Sequence, residues 1–326
     1  MAKYLYVVGG QQKGRIQEEW KQYQKGVILK IDLETREIKP CLNYQSPPEV
    51  TPDSDSSILF KAGTLIDNQL YVCTQTEVLI YSVPDFNLLH YVSLPLFNDV
   101  HHVCPAKDGS LLVVNTGLDM VLNVDLSGKI LGVWNVLQKN PWERFSKSVD
   151  YRKVLTTKPH QSHPNYVFQV GDDVWATRCL QKDAICLTNP SKRIEIGERL
   201  IHDGIVVGNS IYFTRVDGTV FIADIKNQKI KAQYDLKSFS LTPKSIGWCR
   251  GILVLNDHTI IVGFSRLRPT QYVDEKGKQV RKGEYGAMPT RLACYDLKNK
   301  KMLWQLPLES HGLNSIFSIH LHEENE

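Results

Sequence analysis

The chain has 326 residues, 42% of them hydrophobic and 23% charged, with a formal net charge of +4. That profile is ordinary for a globular protein, and Lys and Arg are scattered along the chain, so charge gives no support to a nucleic-acid or membrane-surface role. No segment approaches the roughly 18 apolar residues of a membrane span, and the apolar run in "MAKYLYVVGGQQKGR" is too short for a secretory leader.

Taken in chain order, "KYLYVVGG" and "GVILKIDLETREIKP" read as three strands with no strand before them. "PPEV" and "TPDSDSS" then form a loop into a repeating pattern. The copies are 60–92, 101–134, 165–196 and 202–234, with a fifth at "GWCRGILVLNDHTIIVGFS" resuming at "TRLACYDLKNKKMLWQL". Each copy holds short alternating apolar runs separated by Asp-Gly, Gly-Asp, Asn-Gln or Lys-Asn turns, which is the pattern of a four-stranded propeller blade. "NSIFSIHLH" at the C-terminal end reads as a first strand lacking its second. Joined to the N-terminal strands it completes a sixth blade and closes the ring without an open sheet edge. The expected fold is therefore all-β, a six-bladed β-propeller in a single domain, 1–326. A seven-bladed ring is the runner-up.

Three insertions, near 10–26, 136–162 and 266–291, interrupt the blades on one face, where loops on a rigid scaffold wall a site. Their aromatic residues Trp20, Tyr23, Trp142 and Tyr151 can serve either as a lid or as anchors for a partner. The seven cysteines, Cys41, Cys73, Cys104, Cys179, Cys186, Cys249 and Cys294, form no CxxC pair and mostly lie in apolar strands. Reduced thiols in a cytoplasmic protein are the expectation.

First strands line the axis of a propeller, so registering them on their turns picks out an inner layer. Counting back equally from Asp67, Asp108, Gly171 and Gly208 reaches Lys61, His102, Asn165 and His202. The fifth copy gives Arg250 or Gly251 and the sixth the neighbourhood of Phe317. Strand side chains alternate, which places His163 and Trp248 just above this layer and turns His101 away from it. His102, His163 and His202 are the expected ligands of a divalent metal, Zn, Fe, Mn or Ni, with Asp99 and Asp203 as acceptors behind them. Without a metal, His102 or His202 can act as general base, while Lys61 and Arg250 hold an anionic group or stabilise developing charge. Asn165 and Trp248 are expected to touch substrate. No HExxH, GxSxG, phosphate-loop or zinc-type cysteine motif is present.

Arg250-Gly251-Ile252 and Val262-Gly263-Phe264-Ser265-Arg266 resemble the Arg-Gly-Leu and Val-Gly-Leu-Ser-basic motifs of an uncharacterised bacterial family of six-bladed propeller-like proteins. "LIHDGIVVGNSIYFTRVDGTVFIAD" is similar at His202 to that family's Pro-His-Ser-Pro-Arg element, though it lacks the flanking prolines and the arginine. The resemblance implies the fold and draws attention to His202 and Arg250; it supplies no reaction. The functional expectation is an enzyme of hydrolase, lyase or isomerase type acting on a small polar or anionic metabolite in the axial pocket. The alternative is a non-catalytic propeller that binds a protein or peptide on the insertion-bearing face. A small-molecule ligand is expected, with neither nucleic acid nor membrane as partner.

Overall fold

The computed structural model describes residues 2–14, 21–239, 246–273, 279–282 and 285–324. Six antiparallel four-stranded sheets surround one axis, a six-bladed propeller. Blade one holds Thr64–Ile66, Gln69–Cys73, Val78–Ser82 and Leu88–Val92; blade two starts at Val100–Pro105, blade three at Pro164–Val170, blade four at Ile201–Val207 and blade five at Trp248–Asn256. Blade six is built as expected from both ends of the chain: Ser315–Glu324 is its inner strand, followed by Ala2–Gln12, Tyr23–Asp32 and Ile38–Tyr44. Val7 pairs with Ile319 and Tyr6 with His320, so this seam is an ordinary antiparallel ladder. Successive inner strands touch one another all the way round, from blade one through blade six and back.

Local chemistry accounts for the blades. Asp67 and Asn68 take positive φ angles of 48° and 58°, the two-residue turn that matches strand twist and favours Asp and Asn. Apolar residues on both faces of each sheet are buried against the neighbouring blades. Between blades one and two, Val78 and Ile80 meet Val100, Val103 and Val113, all within 1% of full burial. This is a sheet-on-sheet core repeated around a ring, and it explains why the inner and middle strands read as near-continuous apolar runs.

The insertions differ in character. Segment 136–162 folds back on the propeller: Tyr151 is buried, and Trp142 and Phe145 pack against the same cluster. The third insertion carries a hairpin, Thr270–Val273 with Gln279–Lys282. In the first, the two strands stay paired out to Gln12 and Tyr23, and Tyr23 is buried; Trp20 lies outside the described residues. All seven cysteines are free thiols. Among the described residues no helix is long and apolar enough to cross a membrane.

Candidate functional site at the propeller axis

Every inner strand except that of blade one carries a register shift near its start. Below the shift, the strands line an axial cavity of about 440 Å³ whose walls include His102, Tyr166, Asp203, Gly251, Ser318 and His320. The residue before each of the first five of these, His101, Asn165, His202, Arg250 and Phe317, is absent from that lining and forms the next layer up.

This corrects one position of the expected ring. The first hairpins of blades three and four turn through two residues, Gly171-Asp172 and Gly208-Asn209. That of blade two needs three, Lys107-Asp108-Gly109, closed by the Ala106–Ser110 hydrogen bond with Gly109 at φ 82°. Counting from Asp108 therefore slips the strand by one residue. His101, expected to turn away, shares the layer of Lys61, Asn165, His202 and Arg250. His102 belongs to the cavity below, stacked on Tyr166 at 3.5 Å, with Thr64 Oγ1 3.3 Å from its Nε2 and the Val167 N–H 3.3 Å from its Nδ1. The same slip brings Asp99 level with His163. Both occupy the left-handed region, at φ 52° and 58°, a costly conformation that recurs at functional sites.

Around Asp99 and His163 the structure assembles a compact polar group. Lys61, 4% exposed, forms an ion pair with Asp99 Oδ1, and its Nζ is 3.2 Å from His101 Nδ1. His101 Nδ1 also lies 2.7 Å from the Asp99 carbonyl, and its ring meets His163 edge-on at 4.9 Å. His160 comes from the second insertion. Its Nδ1 is 2.8 Å from His163 Nδ1, and its Nε2 is 4.0 Å from Asp99 Oδ2. One ligand atom from each of Asp99, His160 and His163 falls within 4.8 Å of the others. Of the three histidines expected to bind metal, only His163 belongs to this group.

Asp119 fixes the geometry. Itself at φ 53°, it accepts the backbone N–H groups of Gln161 (2.8 Å), Ser162 (3.0 Å) and His163 (2.8 Å), and Arg144 reaches it at 3.4 Å. A buried carboxylate thus grips the segment that carries both imidazoles.

Electrostatics suits the group to metal binding. Burial pushes His101 and His163 well below the usual imidazole pKa, and His160 below it, so near neutral pH all three are uncharged and offer lone pairs. Burial works against ionising Asp99, yet the Lys61 ammonium beside it holds it well below the usual carboxylate range. Burial also lowers the Lys61 ammonium against the pull of Asp99. Two neutral imidazoles and a carboxylate are a donor set for Zn, Fe, Mn or Ni.

Across the axis, His202 Nδ1 faces Asp203 Oδ1 at 3.3 Å; burial pushes this imidazole below its usual pKa against the pull of Asp203. Arg250 lies over the rings of Phe317 (5.0 Å) and Trp248 (5.6 Å). Asn165 Nδ2 donates to the Ile201 carbonyl at 2.9 Å. On adjacent strands of blade five, Arg250 pairs with Gly263 and Ile252 with Val262.

His160 escapes strand counting because it sits in an irregular loop where no repeat reaches. Its signal in the sequence is "PHQSH", two histidines three residues apart beside a strand start.

No family model and no curated protein matches the sequence. Solved structures do match. One, a protein of unknown function from Bacteroides caccae, superposes with a TM-score of 0.60 over 99% of this chain and 100% of its own, at 12% identity. At that identity the likeness is one of fold.

Proposed function

We propose that the protein is an enzyme acting on a small polar or anionic metabolite at the insertion-face end of its axis, with a divalent metal held by Asp99, His160 and His163. The carrying observation is the convergence of these three donors within 4.8 Å on a backbone segment clamped by Asp119. A structural histidine needs no such clamp. When bound, a metal of this kind supplies Lewis-acid polarisation of a substrate oxygen, which fits hydrolase, lyase or isomerase chemistry. Lys61 holds the Asp99 carboxylate in its ionised form, and His101 packs beside the pair with its Nδ1 donating to the Asp99 carbonyl. Arg250 on the opposite side offers the positive charge for an anionic group. Membership in the uncharacterised bacterial propeller family, and a reducing cytoplasmic setting for the free thiols, belong to the same reading. The alternative, a docking face for a protein or peptide, draws less support, since Tyr23 and Tyr151 are buried and Trp142 packs inward rather than standing out as an anchor.

Elemental analysis of the purified protein tests this. About one equivalent of Zn, Fe, Mn or Ni is expected, falling below about a tenth in Asp99→Asn and His163→Ala proteins that still melt cooperatively. Wild-type protein that stays metal-free after incubation with each of the four ions would overturn the metal centre.

A further inference from the structure

The layer next to the metal-capable group holds, on blades three to five, polar atoms that the fold leaves unused. Asn165 and His202 are each 2% exposed. The Ile201 carbonyl can only accept, so the Asn165 amide nitrogen must face it and Oδ1 is left over; Oδ1 is buried and makes no hydrogen bond. The Asp203 carboxylate is engaged by the Thr214 hydroxyl and, at 2.9 Å, by the Gly251 N–H. Its other oxygen faces His202 Nδ1, which therefore carries the ring proton in the neutral imidazole, so Nε2 is a bare acceptor. That atom too is buried without a partner. On the next blade the Trp248 indole N–H, a donor only, is buried and unmatched beside the Arg250 guanidinium.

Buried polar atoms left without partners cost about 1–3 kcal/mol each. Others are scattered at Tyr6, Thr76, Asn123, Trp175 and Thr177, and what sets the axial ones apart is that they fall on consecutive blades beside a cation. Here they are sorted by chemistry. Two acceptors stand on blades three and four, and a donor beside a fixed cation stands on blade five. A ligand that satisfies all of them presents hydroxyl hydrogens on one side and an anionic oxygen pair on the other.

We infer that Asn165, His202, Trp248 and Arg250 bind a hydroxylated carboxylate, a hydroxy acid or sugar acid, with its hydroxyls donating to Asn165 Oδ1 and His202 Nε2 and its carboxylate accepting from Arg250 and Trp248. This rests on reading the axial layer as the substrate site, and it names the substrate class. It requires neither the metal nor any covalent step.

Three three-carbon probes separate the possibilities: glycerate, propionate and glycerol, titrated calorimetrically into wild-type protein both as purified and after chelator treatment. Glycerate is expected to bind at least about tenfold more tightly than either of the others, because a site built for hydroxyls penalises an analogue that leaves its acceptors unpaired. In His202→Leu and Asn165→Leu the preference for glycerate over propionate should collapse to within about twofold. In Arg250→Met both acids should be lost together. Equal binding of glycerate and propionate to the wild type, or a preference that survives both leucine variants, would overturn the inference. If chelated protein keeps the glycerate preference while elemental analysis finds no metal, the metal centre fails and this site stands. Metal retained with no glycerate preference does the opposite: this site fails and the metal centre stands.

Discussion

Two sets of buried polar residues in this protein are handled in opposite ways. In blade three, Asp183 is fully enclosed, and both its oxygens are used. Arg178 spans them at 2.8 and 2.6 Å, Arg193 adds a contact at 2.6 Å, and the third arm of Arg178 donates to the Val136 carbonyl at 2.9 Å. In blade one the Glu77 carboxylate likewise takes hydroxyls from Tyr44 (2.6 Å), Thr74 (2.6 Å) and Tyr91 (3.1 Å). At the axis the same chain leaves an amide oxygen, an imidazole nitrogen and an indole N–H without partners, and holds three imidazoles neutral by burial. The Asp183 and Glu77 carboxylates close on their partners; single unpaired atoms such as Thr76 Oγ1, Trp175 Nε1 and Thr177 Oγ1 lie elsewhere in the blades, but the axial layer gathers two acceptors and a donor beside a cation. The contrast is stronger grounds for a site than the richness of the axis in histidine, because a closed histidine cluster would be just as rich.

The widest gap between the two regions should appear when each loses a member. Asp183→Ala strands the buried Arg178 guanidinium, while Arg193 keeps Glu195, and should cost about 3–5 kcal/mol, the range for breaking a buried pair. His202→Ala removes one contact to a carboxylate that keeps two other donors, and should cost about 1–2 kcal/mol. Urea unfolding of the two variants against wild type measures both. Similar losses would mean that the axial residues are as structural as those of blade three.

What is legible in the sequence follows the same division. Blade number and the seam at the termini can be read because each hairpin writes its own turn, and Asp67-Asn68 or Gly208-Asn209 dates the strand before it to the residue. The axial layer is legible wherever that clock runs true, at Lys61, Asn165 and His202; in blade five a second bulge between Val254 and Asn256 leaves it undecided between Arg250 and Gly251. In blade two a three-residue turn sets it back by one, which exchanges His101 for His102 and hides the alignment of Asp99 with His163. His160 lies beyond any clock, since tertiary contacts, among them the grip of Asp119 on residues 161–163 and the Thr157 hydroxyl on the Gly117 carbonyl, bring that loop to the axis. The unsatisfied atoms are beyond sequence altogether, because satisfaction is a property of distances.

Acid offers a second, somewhat smaller separation. The blade-three and blade-one clusters contain no histidine, while the axis and the cavity below it contain many. His320, in the cavity wall with its Nε2 2.9 Å from Ser318 Oγ, is lowered by burial to about 4. Its folded pKa lies below the unfolded value of about 6.5, so between those limits the unfolded chain binds more protons. The stability this residue contributes is complete above about pH 6.5 and is lost as the pH falls toward 4, by about 3 kcal/mol in all. Burial shifts His101, His102, His163 and His202 in the same direction. Denaturant unfolding followed from pH 7 to pH 4.5 should show a steep decline that His320→Gln makes shallower. A flat profile would mean that these imidazoles reach solvent, and the enclosed character of the axis would be lost with it.

The smallest expected effect is the most discriminating. Trp248→Phe keeps an aromatic ring beside Arg250 and deletes only the indole N–H with the rest of the larger ring, at a half-buried position. If that N–H has no partner in the folded protein, removing it forfeits no hydrogen bond and relieves a desolvated donor, which offsets the lost ring contacts. Stability should then stay within about 0.5 kcal/mol of wild type, against the roughly 1 kcal/mol net value of a satisfied hydrogen bond. The matching change in the closed region, Tyr44→Phe, deletes a hydroxyl that Glu77 uses and should cost about 1 kcal/mol or more. Thermal melts of the two variants side by side decide the matter. If Trp248→Phe costs as much as Tyr44→Phe, the indole N–H is paired within the fold, the axial layer holds nothing in reserve on blade five, and the carboxylate of the ligand must rest on Arg250 alone.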